Sequence, residues 1–204
     1  MLKKILILFC CSGLIGLRAD VENKILVLGD SISAGYGISI DDGWVSLLQD
    51  RLNHKGYRYR VINASISGDT TRSAHARLER LLDETLPDIV IVELGGNDGL
   101  RGLSLEEIKQ NLDKIISMLK ERGIEVLLIP MQLPPNYGPV YNSGFQEVYH
   151  GLGKIHDISV GTFILEDIGD NSQLMQSDGI HPRTVAQEMM LDNIWPSLQA
   201  MLEK

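Results

Sequence analysis

Hydrolytic acyl transfer needs a nucleophile, a general base and a carboxylate to orient that base, because a neutral serine hydroxyl reacts slowly until its proton is taken. Ser31, His181 and Asp178 are residues of these three types. Ser31 follows a short apolar run, residues 25–28, in Gly29-Asp30-Ser31-Ile32-Ser33. Asp178 and His181 stand three apart in Asp178-Gly179-Ile180-His181-Pro182, a separation that lets them meet within one turn. Gly29 and Ser31 have the spacing that opens a G-x-S-x-G elbow, but Ser33 stands in place of its last glycine.

The transition state of acyl transfer also requires hydrogen-bond donors aimed at a developing oxyanion. The backbone N–H groups of Ser31 and Gly68 and the side-chain amide of Asn97 are the candidates, with the glycine at 68 permitting close backbone approach. Singly, each of these residues has a plain structural explanation: Asp30 or Ser31 as a helix cap, Gly68 and Asn97-Asp98-Gly99 as turns, His181-Pro182 as the start of a helix. Their joint placement after successive strands carries the chemical interpretation.

Those strands are read from apolar runs. Residues 24–28, 57–62, 88–94, 125–129 and 162–165 are rich in Ile, Val and Leu, and most are continuous rather than alternating, as expected of parallel strands buried on both faces. Between them, residues 72–83 and 104–122 carry leucine and isoleucine at helical spacing. Ser104 with Glu107 predicts a capping box, and Gly123 a helix stop. Residues 132–144 predict a long surface loop leading into a helix over 145–155, and Pro182 the start of a last helix running to about 202. The βαβα rhythm predicts an α/β fold, a three-layer α/β/α sandwich on a parallel sheet, in which chemistry gathers beyond the carboxyl ends of the strands.

Composition limits the function further. The 204-residue chain has room for one substantial core. Lys3 and Lys4 precede an apolar run over 5–17 that is short for a bilayer span, and small Ala19 precedes polar residues. Residues 1–19 therefore read as a cleaved secretory signal, which makes the remaining domain, 20–204, periplasmic or secreted with no stable membrane anchor. Cleavage removes Cys10, Cys11, Lys3, Lys4 and Arg18, leaving no thiol and 16 basic residues against 27 acidic ones. A balance this acidic excludes nucleic acid as a partner, and the absence of thiols excludes cysteine chemistry.

Four blocks, Gly29-Asp30-Ser31-Ile32-Ser33, Gly68, Gly95-Gly96-Asn97-Asp98 and Asp178-Gly179-Ile180-His181-Pro182, resemble in type and order those of the SGNH or GDSL hydrolases. The wording around them, such as "GGNDGLRG" and "SDGIHP", is similar to the family's bacterial thioesterase and arylesterase branch. The resemblance implies a flavodoxin-like sheet, Ser31 as nucleophile on a looser turn than the elbow, His181 as base and then acid, Asp178 as its partner, and Ser31, Gly68 and Asn97 as the oxyanion hole. It also implies a monomer that needs neither metal nor cofactor. The expected substrates are small acyl esters and thioesters, including lysophospholipids and aryl or alkyl esters, with an O-acetylesterase acting on carbohydrate or peptidoglycan as the nearest alternative.

Leu100, Leu103, Leu133 and Tyr137 could form an apolar groove for the acyl chain, against the simpler expectation that they anchor loops to the core. Two rivals come from other classes. A metal hydrolase would use Asp178, His181, Asp30 and Asp98 as ligands, though no H-E-x-x-H is present. A flavodoxin-shaped binding module would hold a ligand at the same edge, though no glycine-rich phosphate loop follows the first strand.

Overall fold

The structure, a computed structural model, describes residues 22–203; the proposed secretory signal lies outside the described residues. Five parallel strands, β1 (Asn23–Gly29), β2 (Tyr59–Asn63), β3 (Ile89–Glu93), β4 (Glu125–Leu128) and β5 (Ser159–Val160), form one sheet in the order β2-β1-β3-β4-β5. The helices are α1 (Ser31–Ala34), α2 (Trp44–Lys55), α3 (Thr71–Thr85), α4 (Gly96–Leu100), α5 (Leu105–Glu121), α6 (Pro139–His156) and α7 (Gln187–Leu202). This is the expected α/β sandwich with the flavodoxin-like strand order.

Strand side chains alternate between two cores. Ile25, Val27, Ile89, Ile91 and Leu127 face α2 and α7, where they meet Trp44, Leu48, Leu52, Ile194 and Leu198. Leu26, Leu28, Val90, Val92 and Leu128 face α3, α5 and α6, where they meet Leu78, Ile108, Leu112 and Tyr149. Both strand faces are apolar because both are covered, which is why the central runs read as continuous.

Four sequence expectations change. Residues 162–165 are not a strand: β5 is Ser159–Val160, paired with Leu127 and Leu128, while Ile164 and Leu165 enter the core from a turn. The run is apolar because it is buried, and burial does not require strand geometry. Ser104 does cap α5, accepting from the Glu107 N–H at 3.2 Å, but the Glu107 carboxylate pairs with Arg72 at 2.6 Å instead of closing the box. A reciprocal box forms at α3, between Thr70 and Ser73. The loop over 132–144 ends early, since α6 begins at Pro139 with proline in its first turn. Pro182 does not start the last helix; it lies opposite Met175 in an antiparallel bridge, and α7 begins at Gln187.

Helix α2 had no expectation attached to it. Its apolar residues Trp44, Leu48 and Leu52 recur every four positions, but Gly43 at its start offers no side-chain cap. The Gln187 side chain, from α7, supplies the acceptor by taking the Trp44 N–H at 3.0 Å. A cap contributed from 143 residues away leaves no local signal.

Candidate active site

The strand order reverses direction between β1 and β3, and a crevice opens at such a point beyond the carboxyl ends. Ser31 leaves β1 there as the first residue of α1. Asp30 caps this helix, its carboxylate accepting the Ile32 N–H at 3.0 Å. Ser31 has no positive φ, so it sits on an unstrained strand-to-helix turn rather than a nucleophile elbow. The turn is tight for another reason: a Cβ at Gly29 would lie 2.7 Å from the Ser33 side chain and 2.9 Å from Glu93.

Beyond β2 the chain stays beside β1, with Ile66 donating its N–H to Gly29 O at 3.1 Å. A turn closed by Asp69 N–H to Ile66 O at 3.0 Å then places Gly68 at φ +81°. A Cβ there would touch nothing within 4 Å. The turn's backbone conformation, rather than the close approach inferred from sequence, accounts for this glycine. Buried Asp69 holds the turn through Arg77 of α3, with Oδ2 to the guanidinium at 2.7 and 3.0 Å, and through the Ser73 hydroxyl.

Asn97 lies in the first turn of α4, beyond β3. Its amide donates to Asp30 Oδ2 at 2.9 Å and to Asp69 O at 3.0 Å, which ties together the segments following β1, β2 and β3. These two bonds engage both hydrogens of the amide and fix its orientation at the crevice.

Asp178 and His181 arrive on a loop closed upon itself. Gln176 N–H donates to His181 O and Arg183 N–H to Leu174 O, each at 2.7 Å, on either side of the Met175–Pro182 bridge. Inside it, Asp178 Oδ1 accepts the N–H groups of Ile180 and His181 at 2.9 and 3.0 Å, while Oδ2 lies 2.7 Å from His181 Nδ1. His181 Nε2 lies 2.9 Å from Ser31 Oγ. The three residues selected from sequence thus form one continuous hydrogen-bonded line.

Charge is distributed unevenly along this line. Asp178 has its carboxyl held down to about 2, first by the His181 backbone N–H and then by the His181 ring and the Ile180 N–H. Asp30 is pushed up to about 6, chiefly by burial, against the lowering effects of the Ile32 N–H, His181 and Asn97. Beneath it, Glu93 is wholly buried and raised well above the usual carboxylate range by burial and by Asp30. Its Oε2 accepts the Ser33 hydroxyl at 2.6 Å, and its Oε1 is buried without a hydrogen-bond partner among the described residues.

Sequence reasoning does not single out Glu93 and its bond to Ser33, Asp69 with Arg77, or the coupling of Asp30 to Asn97. A glutamate closing the otherwise apolar run Ile89-Val90-Ile91-Val92 was the available signal.

Leu100, Leu103, Leu133 and Tyr137 come together on the α6 side. Tyr137 donates its hydroxyl to Leu100 O at 2.7 Å, Tyr141 likewise to Leu103 O at 2.6 Å, and Leu133 is buried in the core. They anchor the segment after Asn97, and behind it Tyr137, Tyr141 and Phe145 stack in succession, with Tyr149 meeting Phe145 edge to face. Among the described residues no group of three or more His, Cys, Asp or Glu side chains is arranged to hold a metal ion. The Asp98 carboxylate, a candidate ligand in the metal-hydrolase rival, is taken up by Thr71, at 3.0 Å from its N–H and 2.5 Å from its hydroxyl. A concavity of about 310 Å³ lies at the other end of the sheet, among Lys120, Glu125, Asp157 and Met201, and contains none of the candidate residues.

Residues 27–188, which span the serine turn, Gly68, Asn97 and the Asp–His loop, match the GDSL-like Lipase/Acylhydrolase family. The chain belongs to that family. Among curated relatives, the esterase TesA of Pseudomonas aeruginosa is 44% identical over 98% of this chain and 100% of its own length. Thioesterase 1/protease 1/lysophospholipase L1 of Escherichia coli is 42% identical over 93% of this chain and 89% of its own. Among solved structures, the psychrotrophic esterase EstA from Pseudoalteromonas, inhibited by monoethylphosphonate, superposes with a TM-score of 0.85 at 37% identity, covering 89% of this chain and 100% of that one. As a family member with named esterase and thioesterase homologues, the chain is an SGNH-type hydrolase.

Proposed function

We propose that the protein is a serine esterase and thioesterase that cleaves small acyl esters through an acyl-enzyme on Ser31. The observation that carries this reading is the unbroken line from Ser31 Oγ through His181 to Asp178, at 2.9 and 2.7 Å. The relatives named esterase TesA and thioesterase 1/protease 1/lysophospholipase L1 support the substrate class.

In this mechanism His181 Nε2 takes the hydroxyl proton as Ser31 Oγ bonds to the acyl carbon, and the carbonyl electrons move to oxygen. The N–H groups of Ser31 and Gly68 stabilise that oxyanion, joined by the Asn97 amide as it gives up one of its two bonds, to Asp30 or to Asp69 O. Asp178 keeps the second imidazole proton on Nδ1 and favours the imidazolium. His181 then protonates the departing oxygen or sulfur, leaving acyl-Ser31. A water repeats the sequence, giving its proton to His181 and its oxygen to the acyl carbon, and Ser31 is released. The half-buried Leu100 and Leu103 edge and the Tyr137 ring, beside Asn97, would border the acyl chain. Residues 1–19 would direct export, leaving a single domain to act outside the cytoplasm as a monomer.

The test compares wild type with Ser31→Ala on p-nitrophenyl esters from acetate to palmitate, with and without chelator. Wild type is expected to turn over in both conditions and Ser31→Ala to lose ~10³-fold or more in kcat. Full activity in Ser31→Ala, or loss of wild-type activity with chelator, would overturn the reading.

A further inference from the structure

His181 has one neighbour that a serine–histidine–aspartate line does not require. The Tyr36 ring lies against the imidazole, with centroids 4.3 Å apart and planes inclined at 36°. Its backbone is held at both ends of that line: the Tyr36 N–H donates to Ser31 O at 3.1 Å, and Tyr36 O accepts the Gln176 side-chain amide at 2.8 Å. The same Gln176 nitrogen donates to Pro182 O at 3.0 Å, in the loop that carries His181. Ser31 and Gln176 thus fix the segment that presents the ring to the imidazole.

Filling the core does not account for this placement, because Tyr36 is 52% exposed and gains little from burial. The chemistry of the imidazole does account for it. A histidine serving as base becomes cationic in the transition state, and an aromatic face within ~6 Å attracts a cation. A ring on one face of the imidazole also restricts its rotation away from Ser31.

We propose that Tyr36 is a positioning residue for His181: its ring holds Nε2 on Ser31 Oγ and stabilises the imidazolium formed when the serine proton arrives. The proposal rests on the serine mechanism above. The titratable groups facing His181 among the described residues are Asp178 on its own loop, Asp30 on the turn after β1, and Tyr36 itself. Both aspartates favour the cation, and the Tyr36 ring adds to them from the exposed side.

The experiment measures kcat, KM and the pH profile of kcat/KM for wild type, Tyr36→Leu and Tyr36→Phe on one p-nitrophenyl ester, with thermal melting to confirm folding. Tyr36→Leu is expected to lose roughly three- to thirty-fold in kcat at nearly unchanged KM. Because the ring favours the protonated imidazole, its removal is expected to shift the acid limb down by about half a pH unit. Tyr36→Phe, which keeps the ring, is expected to restore most of both. A Tyr36→Leu enzyme with wild-type kcat and acid limb overturns the proposal, as does a loss in kcat with an unmoved limb, which would reduce Tyr36 to packing. Wild-type protein inert toward every ester would instead overturn the serine mechanism itself.

Discussion

Asp30 and Asp178 are two aspartates of one site, and their surroundings shift them in opposite directions. Asp30 lies 2% exposed at the end of the sheet, between a buried glutamate and the Asn97 amide, and burial lifts it to about 6. Asp178 sits on an exposed loop with its side chain 38% accessible, and three hydrogen bonds draw it down to about 2. The sheet end gains rigidity by enclosing a polar network, at the cost of carboxylates that resist ionisation. The loop keeps its carboxylate charged by leaving it wet and surrounding it with N–H donors. The sheet end thus orients the Asn97 amide donor, while the loop supplies the ionised carboxylate that pairs directly with His181.

The largest expected break in this comparison is on the loop. Asp178→Asn keeps the shape but removes the charge that fixes the His181 tautomer, and kcat is expected to fall ~10²–10⁴-fold in ester hydrolysis assays. At the sheet end, Asn97→Ala removes one oxyanion donor and should cost ~10²–10³-fold in kcat, with KM much less affected. A loss in KM alone would place Asn97 in ground-state binding instead.

The smallest effects are on stability, and their signs differ between the two aspartates. Asp30 has a folded-state value above its unfolded one, so its contribution is fully present below pH ~3.8 and is lost as pH rises through about 6. Two pK units correspond to about 3 kcal/mol at most. Melting temperatures of Asp30→Asn relative to wild type should therefore climb between pH 4 and pH 7, by several degrees at most. Asp178 is lowered, so its contribution is present above pH ~3.8 and is lost as pH falls toward about 2. The deficit of Asp178→Asn should shrink over that acid range, and its size should be small because the group is solvated. Parallel trends in the two variants would contradict the assigned surroundings.

The parts legible in the sequence were those whose physical cause is local. The apolar runs of β1, β3 and β4, the Ser104 cap and the Gly123 stop follow from side chains within a few residues of where they act. Asp178 and His181 were legible for the same reason, since their contact closes within three positions. What escaped depends on contacts between distant segments: the Gln187 cap of α2, the Glu93–Ser33 bond across 60 residues, and the packing of Tyr36 on His181. The apolar stretch at 162–165 misled because periodicity reports burial, and a buried turn has the same composition as a short buried strand.

The closure of the Asp178–His181 loop on itself has a kinetic meaning. Both bonds between the aspartate and the histidine lie inside the loop, whereas its bonds to the sheet end run through His181 Nε2 to Ser31 and through Gln176 to Tyr36. A swing of the loop would therefore stretch the nucleophile–base distance while leaving the tautomer intact. Carboxylate and imidazole would move as one preassembled cassette, with the histidine ready to take a proton on each return to the serine.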